Sequence, residues 1–151
     1  VETLALSRQA LEFYQHHPAA QERLLRLAPE AESVEFISDP TLVGRVLGNM
    51  LKNALEASQP GEEVTLTCGG DADTVFFTVH NSSFMPEAVQ LQVFQRSFST
   101  KGRGRGLGTY SMRLLSEQYL NGEVTFESSP ERGTTFTARY PRFVEGMEIP
   151  T

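Results

Sequence analysis

The sequence predicts an α+β domain, an α/β sandwich in which helices cover one face of a mixed, mainly antiparallel sheet. Three observations predict it. Residues 40–58 and 107–120 carry apolar side chains at helical spacing. Paired β-rich runs follow them, 62–68 with 74–79 and 124–128 with 134–140. A chain of 151 residues with 39% hydrophobic content is long and apolar enough for one domain with its own core. Strand pairs alternating with helices bury both kinds of apolar face by layering one on the other.

The elements follow in order. Residues 3–16 place Leu4, Leu6, Leu11, Phe13 and Tyr14 in a helical pattern, which Pro18 stops because it lacks an N–H and clashes with the preceding turn. His16 and His17 read as exposed residues at that helix end, since no acidic residue follows them as in a phosphate-accepting motif. Residues 21–27 and 33–38 are predicted as two short strands joined by Pro29-Glu30-Ala31-Glu32. Asp39-Pro40 starts the next helix: the carboxylate accepts from free N–H groups, and proline presets the first helical φ. On that helix Leu42, Val43, Val46, Leu47, Met50, Leu51, Ala54 and Leu55 form a broad apolar arc that packs on a core.

Asn49 and Asn53 lie four apart, on one side and at the edge of that arc. Amides bordering a core need partners. Nearby backbone or water serves; so does a magnesium ion, which keeps its waters and asks for only one or two protein oxygens.

Pro60-Gly61 turns the chain. Val64, Leu66 and Cys68 then alternate onto one strand face, and Gly69-Gly70-Asp71 is predicted as a hairpin turn. Cys68 is the single cysteine, so no internal disulfide is possible; it reads as a buried strand residue and fits a reducing compartment. Pro86 is predicted to open a short helix reaching about residue 94. Residues 95–106 show no periodicity, which in a compact domain marks a functional lid or a disordered segment. Asn121-Gly122 ends the helix predicted over 107–120, because both residues take the left-handed cap readily. A turn over 129–133 joins the last two strands, and the residues from 143 on read as a tail.

Within 101–111 four glycines alternate, at 102, 104, 106 and 108, just before a helical pattern. Bare backbone leading into a helix N-terminus offers free N–H groups and a positive dipole end, and Lys101, Arg103 and Arg105 add charge. That makes a phosphate cradle; the same composition also suits a flexible linker. The Walker loop and the dinucleotide fingerprint both fail on spacing. A net charge of −6 argues against non-specific nucleic-acid binding. No stretch approaches the ~20 apolar residues of a membrane span, and no leader peptide is evident. The chain begins inside a helical pattern, as a piece of something longer would. Expected boundaries are a lead-in helix over 1–20, a domain over 21–142 and a tail over 143–151.

These pieces in this order resemble the ATP-binding catalytic domain of sensor histidine kinases, in the superfamily shared with Hsp90, MutL and gyrase-type ATPases. The likeness covers residues 21–141 and implies a Bergerat-type fold with an ATP lid. The run from Asp39 through Asn49 and Asn53 to Ala57 is similar to the asparagine box. By that match Asn53 is the Mg²⁺ ligand and Ala57 a nucleotide contact. Asn49 stands where the ATPases carry a glutamate that activates water; an amide is no base, which favours phosphoryl transfer over hydrolysis. Phe94, Arg96, Ser99, Thr100 and Lys101 fall in a run that resembles the phenylalanine box at the lid hinge, with Lys101 touching phosphate. Gly104, Arg105, Gly106, Leu107, Gly108 and Thr109 match the second glycine box, and Gly133-Thr134 the last glycine-threonine signature.

One box departs from the pattern. The family's adenine site reads Asp-Asn-Gly-x-Gly-Ile-Pro; here His80-Asn81-Ser82-Ser83-Phe84-Met85-Pro86 stands in its place. Counted back from Pro86, His80 replaces the aspartate, and either a His80 nitrogen or the Asn81 oxygen accepts from the adenine amino group. Met85 belongs to the same box. Phe84 either crowds the pocket or stacks on the base.

The resemblance implies a histidine kinase domain that binds ATP and Mg²⁺. It would transfer phosphate to a histidine on its own separate dimerisation domain and work with a response regulator receiver domain. It would lie in the cytoplasm without touching nucleic acid or membrane, whether or not the full protein is a membrane-bound sensor. The second expectation is a docking module of the same fold with a decayed nucleotide pocket.

Overall fold

The computed structural model describes residues 1–90 and 105–143. In chain order the elements are α1 (Thr3–Gln15), β1 (Leu24–Leu27), α2 (Pro40–Ala57), β2 (Glu63–Gly70), β3 (Thr74–Asn81), α3 (Glu87–Gln90), α4 (Arg105–Leu114), β4 (Glu123–Ser129) and β5 (Gly133–Pro141). The five strands form one sheet in the order β1-β2-β3-β5-β4. β1 runs parallel to β2, and every other pair is antiparallel. The parallel pair is joined across α2, as such a pair requires.

α2 starts where the sequence places it. The Asp39 carboxylate accepts from the backbone N–H of Thr41 at 2.9 Å and of Leu42 at 3.1 Å, and Pro40 has no N–H to satisfy. Its buried stripe, Val43, Val46, Leu47, Met50, Leu51, Ala54 and Leu55, lies on the sheet. Strand side chains alternate. Leu66, Cys68, Val75, Phe77, Val79, Phe136, Ala138 and Tyr140 therefore share the covered face and are buried. Phe76, Thr78, His80, Thr135 and Thr137 point the other way and are half-exposed. Phe77 packs between Phe36 and Tyr140, with ring centroids 6.0 and 6.3 Å apart. α1 joins the same core through Leu6 and Leu11, and Thr3 Oγ1 donates to the Glu32 carbonyl at 2.7 Å.

Three local expectations need correction. No strand forms over 33–38. That segment makes one antiparallel bridge, Glu35 with Glu2. The Phe36 N–H donates to the Val1 carbonyl at 2.8 Å and the Ile37 N–H to the Arg142 carbonyl at 2.9 Å. Its backbone donors are taken by distant ends of the chain, and its one fully buried apolar residue, Phe36, plugs the core instead of lining a strand.

The β2–β3 turn comes later than predicted. Gly69 and Gly70 are still paired, with Phe76 and Val75. Asp71 Oδ1 closes the turn by accepting from the N–H groups of Asp73 at 2.8 Å and Thr74 at 2.9 Å.

The helix predicted over 107–120 changes character after Leu114. Leu115–Tyr119 form a wider π-type turn, in which the Leu120 N–H reaches back to the Leu115 carbonyl at 3.0 Å. This helix carries a buried serine, whose hydroxyl needs a partner; the wider turn brings Ser116 within 2.9 Å of the Tyr140 hydroxyl. Asn121, at a φ of 56°, then ends the helix as expected. Among the described residues no helix is long and apolar enough to cross a membrane. The part of the short helix predicted beyond Gln90 lies outside the described residues, as does the tail from 144 on.

Candidate functional site

β3 ends on two polar neighbours that point in opposite directions. Asn81 falls on the covered face, opposite Thr134 of β5, and is only 2% exposed. Its Nδ2 has no hydrogen-bond partner among the described residues. Leaving a buried donor unpaired costs about 1–3 kcal/mol, so an orphan here marks a place for something else. His80 falls on the open face. Its Nε2 lies 2.6 Å from the Arg132 carbonyl, to which it donates in the tautomer protonated there. It lines an open-face cleft of about 630 Å³ with Glu127, Ser129, Arg132 and Thr135. Of the two neighbours the sequence offers, His80 therefore faces away from the helices and Asn81 towards them. The sheet register selects Asn81, which makes the loop from strand to proline one residue shorter than the family pattern.

That loop is held by side chains the sequence reading overlooked. The Met85 N–H donates to Ser128 Oγ at 2.8 Å, the Ser128 hydroxyl to Thr134 Oγ1 at 2.7 Å, and the Thr134 hydroxyl to the Ser83 carbonyl at 2.8 Å. The direction of this chain follows from its ends, since an N–H only donates and a carbonyl only accepts. On the other side Ser83 Oγ donates to the Ala57 carbonyl at 2.8 Å and Ser82 Oγ to Glu62 Oε2 at 2.6 Å. The bond from Ser82, then that from the Gln59 N–H, holds the Glu62 carboxyl below its usual range. Ser82 and Ser83 thus pin a loop that glycines leave free in the pattern. Ser83, Ser128 and Glu62 carry no motif, so nothing local in the sequence points to them. Thr134 does lie beside Asn81, but its hydroxyl is committed to the loop. Met85 is half-buried against the core, and Phe84 is 45% exposed at the loop's tip.

The same loop fixes the geometry of α2. Ala57, whose carbonyl Ser83 ties, lies one turn beyond Asn53 and two beyond Asn49 on one helix side; at 1.5 Å per residue the amides lie about 6 and about 12 Å down the axis. Both are half-buried. Asn49 also lines a groove of about 800 Å³ between α1, α2 and α4, with Leu6, Gly48, Ser111 and Leu115. That groove lies apart from the corner, for neither Asn53, Asn81 nor Thr134 lines it. Gly106 and Gly108 lie in the first turn of α4, and the Gly106 N–H is among those that lack a helical partner. Phe94, Arg96, Ser99, Thr100, Lys101 and Gly104 fall outside the described residues, as do the side chains of Arg105, Leu107 and Thr109.

The structure therefore gathers Ala57, Asn81, Met85 and Thr134 at one corner, with Asn53 and Asn49 leading away from it along α2. The edge of a purine presents donors and acceptors of the kind an amide pairs with. Neutral amide oxygens on α2 suit Mg²⁺, a hard cation that takes oxygen ligands.

This layered fold is shared with solved proteins. The catalytic domain of histidine kinase ThkA superposes with a TM-score of 0.83 at 24% identity, over 95% of this chain and 94% of that one. Histidine kinase ThkA in complex with response regulator protein TrrA gives a TM-score of 0.77 at 22% identity, over 94% of this chain and 41% of that one. The chain belongs to the family of histidine kinase-, DNA gyrase B- and HSP90-like ATPases, whose pattern matches residues 38–143. Among curated relatives, sensor protein DegM of a Bacillus species is 32% identical over 127 residues, 82% of this chain and 34% of that protein. Sensor protein SrrB of Staphylococcus aureus is 30% identical over 112 residues, 69% of this chain and 19% of that protein. The chain spans about a third or less of the curated relatives it matches.

Proposed function

We propose that this domain binds Mg-ATP between α2 and the ends of β3 and β5, and is the ATP-binding catalytic part of a sensor histidine kinase. The orphaned Asn81 amide, buried at the corner where the base would lie, carries the reading. Family membership and relatives named as sensor proteins support it.

In this reading Asn81 meets the base edge, and the bonded loop from Ser83 to Met85 holds the wall beside it. Asn53 gives a neutral oxygen to Mg²⁺. Asn49, unable to act as a base, orients groups near the phosphates without activating water, which favours transfer over hydrolysis. Lys101 and the backbone of Gly104, Gly106 and Gly108 serve the phosphates, an assignment that the sequence motif alone supports. Bound Mg-ATP supplies the γ-phosphoryl group; the chain contributes position and charge neutralisation. The acceptor histidine would belong to a dimerisation domain, and the onward partner would be a response regulator, as ThkA's complex with TrrA illustrates for that protein. A cytoplasmic site fits this chemistry.

Thermal unfolding with Mg-ADP and Mg-ATP tests the proposal. Ligand at a hundred times its Kd stabilises the native state by about 2.7 kcal/mol, which raises Tm by several degrees. Asn53→Ala keeps the Tm of the free protein and loses the magnesium-dependent part of that rise. A Tm unmoved by millimolar nucleotide would leave only a docking module.

A further inference from the structure

We propose that the base pocket does not discriminate a 6-aminopurine from a 6-oxopurine, so that Mg-ITP binds about as well as Mg-ATP. This rests on the reading that a nucleotide occupies the corner.

A carboxylate at the end of β3 only accepts hydrogen bonds. It rewards a 6-amino group and repels a 6-oxo oxygen. Asn81 carries an amide instead, with one acceptor atom and one donor atom side by side. The pairing edge of adenine presents a donor at the 6-amino group and an acceptor at N1. Hypoxanthine presents the reverse, an acceptor at O6 and a donor at N1. A half-turn of the amide exchanges Oδ1 and Nδ2, so the atom turned to the base either accepts from a 6-amino group or donates to a 6-oxo oxygen.

Two observations keep that choice open. Nothing among the described residues accepts from Nδ2, so no neighbour on that side decides which way the amide faces. The hydroxyl protons around it are already committed. Ser83 donates to Ala57, Thr134 to Ser83, and Ser128 to Thr134. None of these hydroxyls has a proton left for a 6-oxo oxygen, whereas the Asn81 amide both donates and accepts.

Calorimetric titration of this chain with Mg-ATP and with Mg-ITP decides the matter, since the two differ only at the 6-position and the N1 proton. The expected wild-type affinities agree within about threefold, and Asn81→Asp widens the ratio in favour of ATP to more than about tenfold, the scale of one charge-assisted hydrogen bond. Asn81→Ser, whose hydroxyl both donates and accepts, keeps the two affinities close. A wild-type preference for ATP beyond about tenfold overturns this inference while sparing the nucleotide reading. Binding of neither nucleotide overturns both. Should Asn81→Asp unfold, the wild-type ratio by itself still decides.

Discussion

Phe76 and Phe77 are neighbours on β3, yet they meet different worlds. Phe77 is fully buried between Phe36 and Tyr140. Phe76 lies on the open face, half-exposed, with the Arg139 guanidinium 5.9 Å over its ring. At the strand's end the contrast repeats with polar residues: Asn81 is sealed under the helix layer, and His80 hydrogen-bonds a turn on the outside. Hydrophobicity does not decide which of two adjacent residues becomes core or site. Parity along the strand does, once one face has acquired its cover.

Paired substitutions across the two faces sharpen this contrast. The largest effect is expected for Phe77→Ala, which removes a buried ring and leaves a cavity at a cost of about 3–5 kcal/mol. Phe76→Ala should cost no more than about 1 kcal/mol, because the ring already meets solvent and its cation–π contact is worth about 0.5–1 kcal/mol. Urea unfolding of the two variants measures the difference; equal losses would break the comparison.

A pH effect comes next. Burial is the main reason the Tyr140 hydroxyl is pushed up from 10.0 to about 12, with the Ser116 bond acting the other way. The folded state holds this proton more tightly than the unfolded chain does. Its contribution is fully present below pH about 10 and is lost, about 3 kcal/mol in all, as pH rises through about 12. Tyr140→Phe should remove that part of the alkaline decline, as denaturant midpoints taken across this range would reveal.

The smallest stability effects, and the clearest functional ones, belong to the strand's end. Asn81→Ala should weaken nucleotide binding by about ten- to a hundredfold, while His80→Ala changes it less than about twofold. Calorimetry on both proteins checks this. A loss of affinity confined to His80→Ala would return the base site to the open face.

Much of this architecture was legible because its signals are local. α2 announced itself through a 3.6-residue apolar period, an acidic N-cap and a first-turn proline, all within its own span. The strand pairs showed their alternation, and Asn121 its left-handed cap. Residues 33–38 were not legible: their composition suits a strand, but Val1 and Arg142, far away in sequence, take the backbone bonds. The wide turn after Leu114 was hidden for a similar reason, since its partner, the Tyr140 hydroxyl, lies on another element. At the candidate site the motifs pointed to α2 and to the end of β3, where they offered both His80 and Asn81 without showing which faces the helices.

From its own residues the chain determined the helices, the strands and the order in which they alternate, because periodicity and capping act between residues a few positions apart. It also placed the asparagines on α2 and the glycines that open α4. Only the tertiary structure decided that Asn81 rather than His80 faces the covered side, and that serines rather than glycines shape the loop beside it. The physical reason is that a strand shows two faces with a period of two. Which face is inside depends on helices and a partner strand contributed from elsewhere in the chain.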